Sequence, residues 1–231
     1  MSKHLRIWLF VLLSTLLTST TLPAEGVITM TTSKAVGETI ELRIEANGNV
    51  TIEGAQYTGE TGYLNLKSYR LTNQTISIRG DVTELDCSTN ELISLDVSKN
   101  TALTELACID NQLTRLDVSK NPALTELACL ANQLTSLNVS KNTALTALYC
   151  YENQLTNLNV SGCISLRDLD CSSNYINGKA MTKLVNSLPN RRRKSSGRIS
   201  LVDRSSKKRD KNRCSAADVT TVRRKNWEVA P

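Results

Sequence analysis

The chain holds a single histidine in 231 residues, His4, and that residue lies in a segment that reads as a removable leader. The remainder therefore has no imidazole for a Ser-His-Asp, Cys-His or HExxH site, which excludes most hydrolase chemistry. Carboxylate pairs such as Glu84 with Asp86 and Asp168 with Asp170 are present. A glycosidase needs such a pair in a pocket that raises one pKa, whereas these are expected on an open, solvated face, so the chain reads as a non-enzyme with no small-molecule substrate. No CxxC or Cys/His spacing suited to zinc occurs, and no metal or cofactor is expected. Aromatic residues are scarce, at 4%. Single-stranded nucleic-acid readers stack bases on aromatics, and only Trp227 stands among the C-terminal cations, so specific nucleic-acid readout is not expected. After residue 24 no apolar run approaches the length needed to cross a bilayer.

The leader itself has a short basic start (Lys3, His4, Arg6), an apolar stretch from Ile7 to Leu17 and a polar end at Pro23 and Ala24. The apolar stretch is too short, and too interrupted by Ser and Thr, for a spanning helix. This is the pattern of a secretory signal peptide cut after Ala24. The mature chain is expected to be exported, either secreted or associated with the cell surface.

What is present in quantity is periodicity. Cys87, Cys108, Cys129, Cys150 and Cys171 follow one another at intervals of 21 residues. Around each runs the pattern Leu-x-x-Leu-x-Cys-x-x-Asn-x-Leu, complete at Leu103, Leu106, Cys108, Asn111 and Leu113 and again at Leu124, Leu127, Cys129, Asn132 and Leu134. A unit of this size cannot bury its own apolar face, so copies must stack and share one core. Two alternating stretches per unit, Leu106 with Cys108 and Leu116 with Val118, predict two strand-like segments with those side chains inside and Ala107 and Asp117 outside. The asparagines Asn90, Asn111, Asn132, Asn153 and Asn174 fall where the chain turns, and their amides are expected to bond backbone groups that the turn leaves unpaired. Equivalent cysteines on stacked strands point the same way, so they are expected to be buried free thiols acting as small apolar residues. Cys163 replaces the turn asparagine of Asn100, Asn121 and Asn142, which places it near the outer surface; pairing with Cys214 and a free thiol both stay open.

The repeat text from Leu106 to Asn121, Leu-x-Cys-x-x-Asn-x-Leu-x-x-Leu-x-Val-Ser-Lys-Asn, is similar to the cysteine-ladder leucine-rich repeats of internalin-J-like bacterial surface proteins, over roughly residues 82 to 176. The segment from Leu166 to Leu188 also resembles the helix-bearing repeat of the ribonuclease-inhibitor type. The fold class implied is a mainly β leucine-rich repeat solenoid with an N-terminal β-cap and a C-terminal α/β cap. Members of the first family are exported adhesion or host-interaction proteins, and the resemblance implies that role here.

The expected organisation is a leader over 1–24, a β-cap with a degenerate first repeat over 25–80, repeats over 81–176 and a basic α/β cap over 177–231. Within the first cap, Ile40, Leu42 and Ile44, then Asn47-Gly48, then Val50 and Ile52 predict a hairpin. Leu64, Leu66 and Tyr69 predict a first coil, with Leu66 at the cysteine position and Tyr69 at the asparagine position. Ala180, Met181, Leu184, Val185 and Leu188 predict a helix ending before Pro189. Ile199 and Leu201 predict a strand, Ser215 to Asp218 a helix start, and Trp227 with Val229 a last strand. Residues 189–198 and 203–213 are basic and Ser-rich and are expected to be mobile.

Charge is unevenly divided: residues 179–231 carry 16 Lys and Arg against 4 Asp and Glu, and residues 25–178 carry 10 against 18. The positions beside Leu and Cys are expected to line a concave face in three columns. These are Glu84, Glu105, Glu126, Ala147, Asp168; then Asp86, Ala107, Ala128, Tyr149, Asp170; then Ser88, Ile109, Leu130, Tyr151, Ser172. An apolar patch of Ile109, Leu130, Tyr149 and Tyr151, rimmed by Glu105, Glu126, Asp168 and Asp170, predicts a protein-binding face. Five strands span only about 24 Å, so affinity is expected to be modest unless the caps join in. The alternative is electrostatic binding of an anionic glycan, lipid headgroup or nucleic acid by Arg191, Arg192, Arg193, Lys194, Lys207, Lys208 and Arg209. Self-association is a third reading.

Overall fold

A short strand that alternates Leu and Cys inward can hydrogen-bond only to its own copies one coil away, and that pairing organises the chain. The computed structural model describes residues 26–61, 65–203 and 210–230. The leader, Leu64, and the cations Lys207, Lys208 and Arg209 lie outside the described residues. In order, the elements are β1 (Val27–Thr32), β2 (Thr39–Ala46), β3 (Thr51–Glu53), β4 (Ala55–Thr61), β5 (Lys67–Leu71), β6 (Thr75–Arg79), β7 (Val82–Asp86) and β8 (Leu92–Asp96). There follow β9 (Glu105–Ala107), β10 (Glu126–Ala128), β11 (Ala147–Tyr149), β12 (Asp168–Asp170), α1 (Gly178–Ser187), β13 (Gly197–Ser200), α2 (Ala216–Arg224) and β14 (Trp227–Val229). The fold is leucine-rich-repeat-like.

One ten-stranded sheet runs in the order β14-β13-β12-β11-β10-β9-β7-β2-β5-β4. From β7 to β14 its neighbours are parallel, with Leu85, Leu106, Leu127, Leu148, Leu169 and Ile199 in one row. Behind that row Cys87, Cys108, Cys129, Cys150 and Cys171 are each 0% exposed. A thiol is small enough to let the chain turn directly after the strand while still filling the core.

Each turn is made by a residue in the left-handed region immediately before the corner asparagine: Thr89, Asp110, Ala131, Glu152 and Ser173, with φ of 57°, 51°, 52°, 52° and 51°. Such a turn points carbonyls inward, where water cannot reach them. The asparagine amide takes them up. Asn132 Nδ2 donates to the carbonyls of Cys108 (2.9 Å), Cys129 (3.2 Å) and Leu130 (3.2 Å), and its Oδ1 accepts from Leu113 N at 3.0 Å. Asn111, Asn153 and Asn174 repeat the arrangement. The column does not end there. Asn212 Nδ2 donates to Cys171 O and Leu201 O, both at 2.8 Å, and Oδ1 accepts from Ile176 N at 2.7 Å, so Asn212 is the corner residue of the next, longer coil.

The second asparagine column is buried too, and here one sequence expectation is corrected. Asn121 Nδ2 reaches Val97 O and Asn142 Nδ2 reaches Val118 O. Cys163 is 0% exposed instead of lying near the surface, because its thiol takes over the same bond, Sγ to Val139 O at 3.4 Å. Buried this way, Cys163 is a free thiol and does not pair with Cys214.

The second strand-like segment per unit is also corrected. Leu116 and Val118 point inward, at 7% and 0% exposed, but past β8 that side shows one isolated bridge, Asn138 with Asn159. Alternation fixes which side chains are buried; it does not bring backbones within bonding reach.

Before the parallel strands, two further expectations change. The residues around Asn47-Gly48 do form a turn, with Gly48 at φ 107°, yet the flanking strands do not pair with each other. Strand β2 pairs antiparallel with β7 and β5, whereas β3 pairs with β6 in a separate four-stranded sheet, β3-β6-β1-β8. Residues 67–71 form an antiparallel strand, not a first coil, and Tyr69 is 8% exposed on it. Capturing β2 lets the open edge of β7 saturate its backbone groups, and that outweighs the local hairpin.

After β12, α1 buries Met181, Leu184 and Val185 and stops before Pro189. The Ser215–Asp218 capping box is present, and the same carboxylate accepts from Thr182 Oγ1 at 2.9 Å, which docks α2 on α1. Trp227 is 2% exposed, donates Nε1 to Pro189 O, and lies so close over Gly197 that a Cβ there would meet its ring at 2.6 Å. No helix among the described residues is long and apolar enough to cross a membrane.

Replacing Asn132 with alanine removes four hydrogen bonds and leaves Leu113 N without its acceptor, while Cys108 O, Cys129 O and Leu130 O keep donors from Asn111 Nδ2, Asn153 Nδ2 and Asp110 N. It is expected to cost about 2 kcal/mol, whereas exposed Gln133→Ala should stay within roughly 0.5 kcal/mol in the same urea titration. A second outcome concerns alkaline pH. Burial pushes the Cys129 thiol up to about 12 and Cys163 up to about 11, and it raises Cys87, Cys108, Cys150 and Cys171 as well. The folded chain thus holds these protons after the unfolded chain, with thiols near about 8.5, has released them. Stability is complete below that pH and is lost as pH rises toward the folded values, by up to roughly 1.4 kcal/mol per pH unit for each thiol. Urea midpoints should be flat from pH 6 to 8 and fall steeply above about pH 9, with a shallower fall in Cys129→Ala.

Candidate protein-binding face

On the outward side of the ten-stranded sheet, side chains between the Leu and Cys positions stand in columns set by strand register. Glu45 lies opposite Glu84, Glu84 beside Glu105, and Glu105 beside Glu126. The column continues through Ala147, Asp168, Arg198 and Glu228. The next column runs Arg43, Asp86, Ala107, Ala128, Tyr149, Asp170 and Ser200. Glu105 and Glu126 are exposed; Ile109, Leu130, Tyr149, Tyr151, Asp168 and Asp170 are half-buried. Ala128 and Ala147 are 7% and 6% exposed, so the aromatic and aliphatic neighbours lie low across a shallow floor of small residues.

The two ends of the face differ in charge. Four glutamates on adjacent strands repel one another, and like charges directly opposite destabilise a sheet. At the other end Asp168 is already compensated: Arg198 Nε stands 2.8 Å from Oδ1 and Arg167 Nε 3.7 Å from Oδ2. Asp170 Oδ1 accepts from Ser172 N at 3.0 Å and Ser172 Oγ at 2.7 Å. Both carboxylates, expected at the rim of the patch, are half-exposed there and are held in place by these local partners. Burial, then the Asp168 and Glu126 carboxylates, push the Tyr149 phenol above its ordinary value against the pull of Arg198 and Arg167. Tyr151 is raised by burial, then by Asp170 and Glu152. Both phenols stay protonated at neutral pH and keep an O–H to donate.

Beside the face, along the left-handed corners, a groove of about 650 Å³ is lined by Asp110, Ala131, Glu152, Ser173, Tyr175 and Lys211 among others. Lys211 Nζ donates to Tyr175 Oη at 2.8 Å and sits 4.4 Å from the ring centroid. Sequence reasoning found neither this groove nor Arg43, Glu45, Arg198 and Glu228. The last two were legible in principle, since the alternation that buries Ile199 and Trp227 turns Arg198 and Glu228 outward. Among the described residues no group of three or more His, Cys, Asp or Glu is placed to hold a metal ion.

The basic region is divided by the structure. Arg191 is corrected from a surface cation to a buried strut: it is 5% exposed, donates Nη1 to Leu166 O at 2.9 Å and Nε to Ser195 O at 3.0 Å, and lies 5.9 Å from the Trp227 ring centroid. The carbonyls it meets have no strand neighbour, which is why a cation is buried there. Arg192, Arg193 and Lys194 are exposed.

No protein-family model and no curated protein sequence matches the chain. Among solved structures it is similar to the functional domain of InlJ from Listeria monocytogenes, which includes a cysteine ladder, at 28% identity over 62% of this chain and 37% of that one, with a TM-score of 0.31. It is also similar to a leucine-rich-repeat protein of Leptospira interrogans (20% identity, 58% and 32% covered, TM-score 0.43) and to the internalin inlF of Listeria monocytogenes (17%, 64% and 46%, TM-score 0.41). The chain spans less than half the length of each.

The left-handed corners beside the face yield a stability test. Ala131 holds φ 52°, a conformation that costs a non-glycine residue roughly 1–2 kcal/mol. Ala131→Gly, usually a loss of about 0.5–1 kcal/mol in regular structure, is here expected to be neutral or to raise the urea midpoint.

Proposed function

We propose that this is an exported, non-enzymatic protein-binding module that engages its partner through the outward face of the ten-stranded sheet. The observation that carries this reading is the set Ile109, Leu130, Tyr149 and Tyr151, all half-exposed and outside the core, with Tyr149 on β11 and the other three each two residues past the end of β9, β10 or β11. A contiguous apolar floor bordered by carboxylates, with phenolic donors at its centre, suits a protein surface bearing apolar anchors and basic residues. Nine strand intervals of about 4.8 Å give roughly 43 Å of continuous sheet. Both terminal regions contribute to it, so the modest area expected from five strands alone is exceeded. The repulsion among Glu45, Glu84, Glu105 and Glu126 would be relieved by a cationic partner. The leader-like pattern of residues 1–24 supports export, and the repeat text from Leu106 to Asn121 supports adhesion to a host or bacterial surface protein as the specific role.

The test is quantitative capture from cell-surface protein extracts, with the chain from residue 26 immobilised. Leu130→Ala with Tyr149→Ala should weaken the specific partner by about 2 kcal/mol or more, roughly thirtyfold, as expected of central anchors. Exposed Ile164→Ala, away from the sheet face, should leave it unchanged. A partner retained equally by all three proteins would sink the proposal.

A further inference from the structure

The basic end holds a second surface, on elements separate from the sheet face. A cationic segment in solution is ordinarily a mobile, solvated tail, and residues 189–198 read that way in sequence. In the structure they are tied down. Arg191 N donates to Lys225 O at 2.9 Å, and Lys194 N to Arg191 O at 2.8 Å, closing a tight turn. Asn226, left-handed at φ 65°, clamps both ends of that turn, with Nδ2 donating to Arg191 O at 3.1 Å and Lys194 O at 3.0 Å. Arg192 Nε then donates to Arg224 O at 2.7 Å. The turn carrying Arg192, Arg193 and Lys194 is therefore fastened to the C-terminal end of α2, which carries Arg223 and Arg224. All five residues are exposed.

Two cations at a helix C-terminus are accounted for by the helix dipole. Three more fastened beside them are not, because five like charges held together oppose folding. A rigid, multivalent cationic site gains affinity for a chain of anions by having its side chains' anchor points already fixed. The chemistry of the surroundings narrows the ligand. None of the exposed large apolar side chains among the described residues, Val36, Tyr57, Ile93, Ile164 and Tyr175, belongs to residues 189–198 or to α2, although Ile164 is two residues along the chain from Leu166, whose carbonyl Arg191 holds; Trp227 is buried. Among the described residues, neither the turn over 191–194 nor α2 itself presents an exposed large apolar side chain as a wedge for a bilayer or an exposed aromatic as a stacking platform for a nucleobase. What remains is recognition of closely spaced anionic groups by charge and by guanidinium hydrogen bonds.

We propose that Arg192, Arg193, Lys194, Arg223 and Arg224 form a preorganised site for a sulfate-bearing linear polysaccharide. The probe is a size-defined heparin fragment, titrated calorimetrically against the chain from residue 26 between 50 and 300 mM NaCl. Replacing Arg192, Arg193 and Lys194 together with glutamine should weaken binding at least tenfold and reduce the slope of log K against log salt by about 2 to 3. The same charge removed at the exposed residues Lys99, Lys120 and Lys141 should change affinity less than twofold. Asn226→Gly keeps the left-handed backbone and every charge but deletes the clamp; it should bind several-fold more weakly with an unchanged salt slope. The proposal is overturned if the two triple variants lose affinity equally, since net charge alone would then suffice, or if Asn226→Gly binds like the parent at an unchanged thermal midpoint. Tighter binding to phosphatidylserine vesicles or to a single-stranded oligonucleotide than to the heparin fragment would also overturn it.

Discussion

The interaction on which the rest depends is the buried asparagine amide at each corner of the coil. A chain that reverses direction every few residues leaves carbonyls facing inward, and an unpaired buried carbonyl costs about as much as a lost hydrogen bond. Asn111, Asn132, Asn153, Asn174 and Asn212 each satisfy carbonyls of their own coil and the one before, so every corner is fastened to its neighbour. That bond sets where the strand ends, hence which residues face outward, hence the columns of the proposed binding face. The left-handed residue before Asn111, Asn132, Asn153 and Asn174 is a local strain that the amide makes tolerable.

The cations of the C-terminal region show how one residue type serves two ends. Arg191 gives its guanidinium to carbonyls that lack a strand partner. Lys225 does the same for the last turn of α1, donating to Asn186 O and Leu188 O, and burial lowers its pKa. These residues replace, with charge-assisted hydrogen bonds, the ladder that a further coil would have supplied. Their neighbours Arg192, Arg193 and Lys194 have the same composition and the opposite fate, because the turn that Arg191 anchors directs them to solvent. Net charge alone could not separate the two groups.

Much of the fold was legible: the 21-residue spacing of Cys87 to Cys171 placed the core row, the corner asparagines and the outward columns. The α1 helix and the capping box at Ser215 were equally readable, since both rest on local patterns. The misreadings share one cause. Ile40 to Ile52 has the alternation and turn of a hairpin, and Cys163 occupies a corner position usually filled by an amide, but partner choice in both is decided by residues far away in sequence. Of the candidate site, Ile109, Leu130, Tyr149 and Tyr151 were found from register; Arg43, Glu45 and Arg198 were not, because the strands that bring them alongside lie outside the regular text.

The sequence by itself determined the period, the buried row of leucine and cysteine, and the identity of the outward residues, because a period imposes the same inside and outside on every copy. Only the tertiary structure decided what closes each end. It sent β2 to the edge of β7, made Asn212 the next corner across a longer coil, and buried Arg191 while exposing its neighbours. Those outcomes turn on which unpaired backbone groups meet in space, and no local pattern of side chains encodes that.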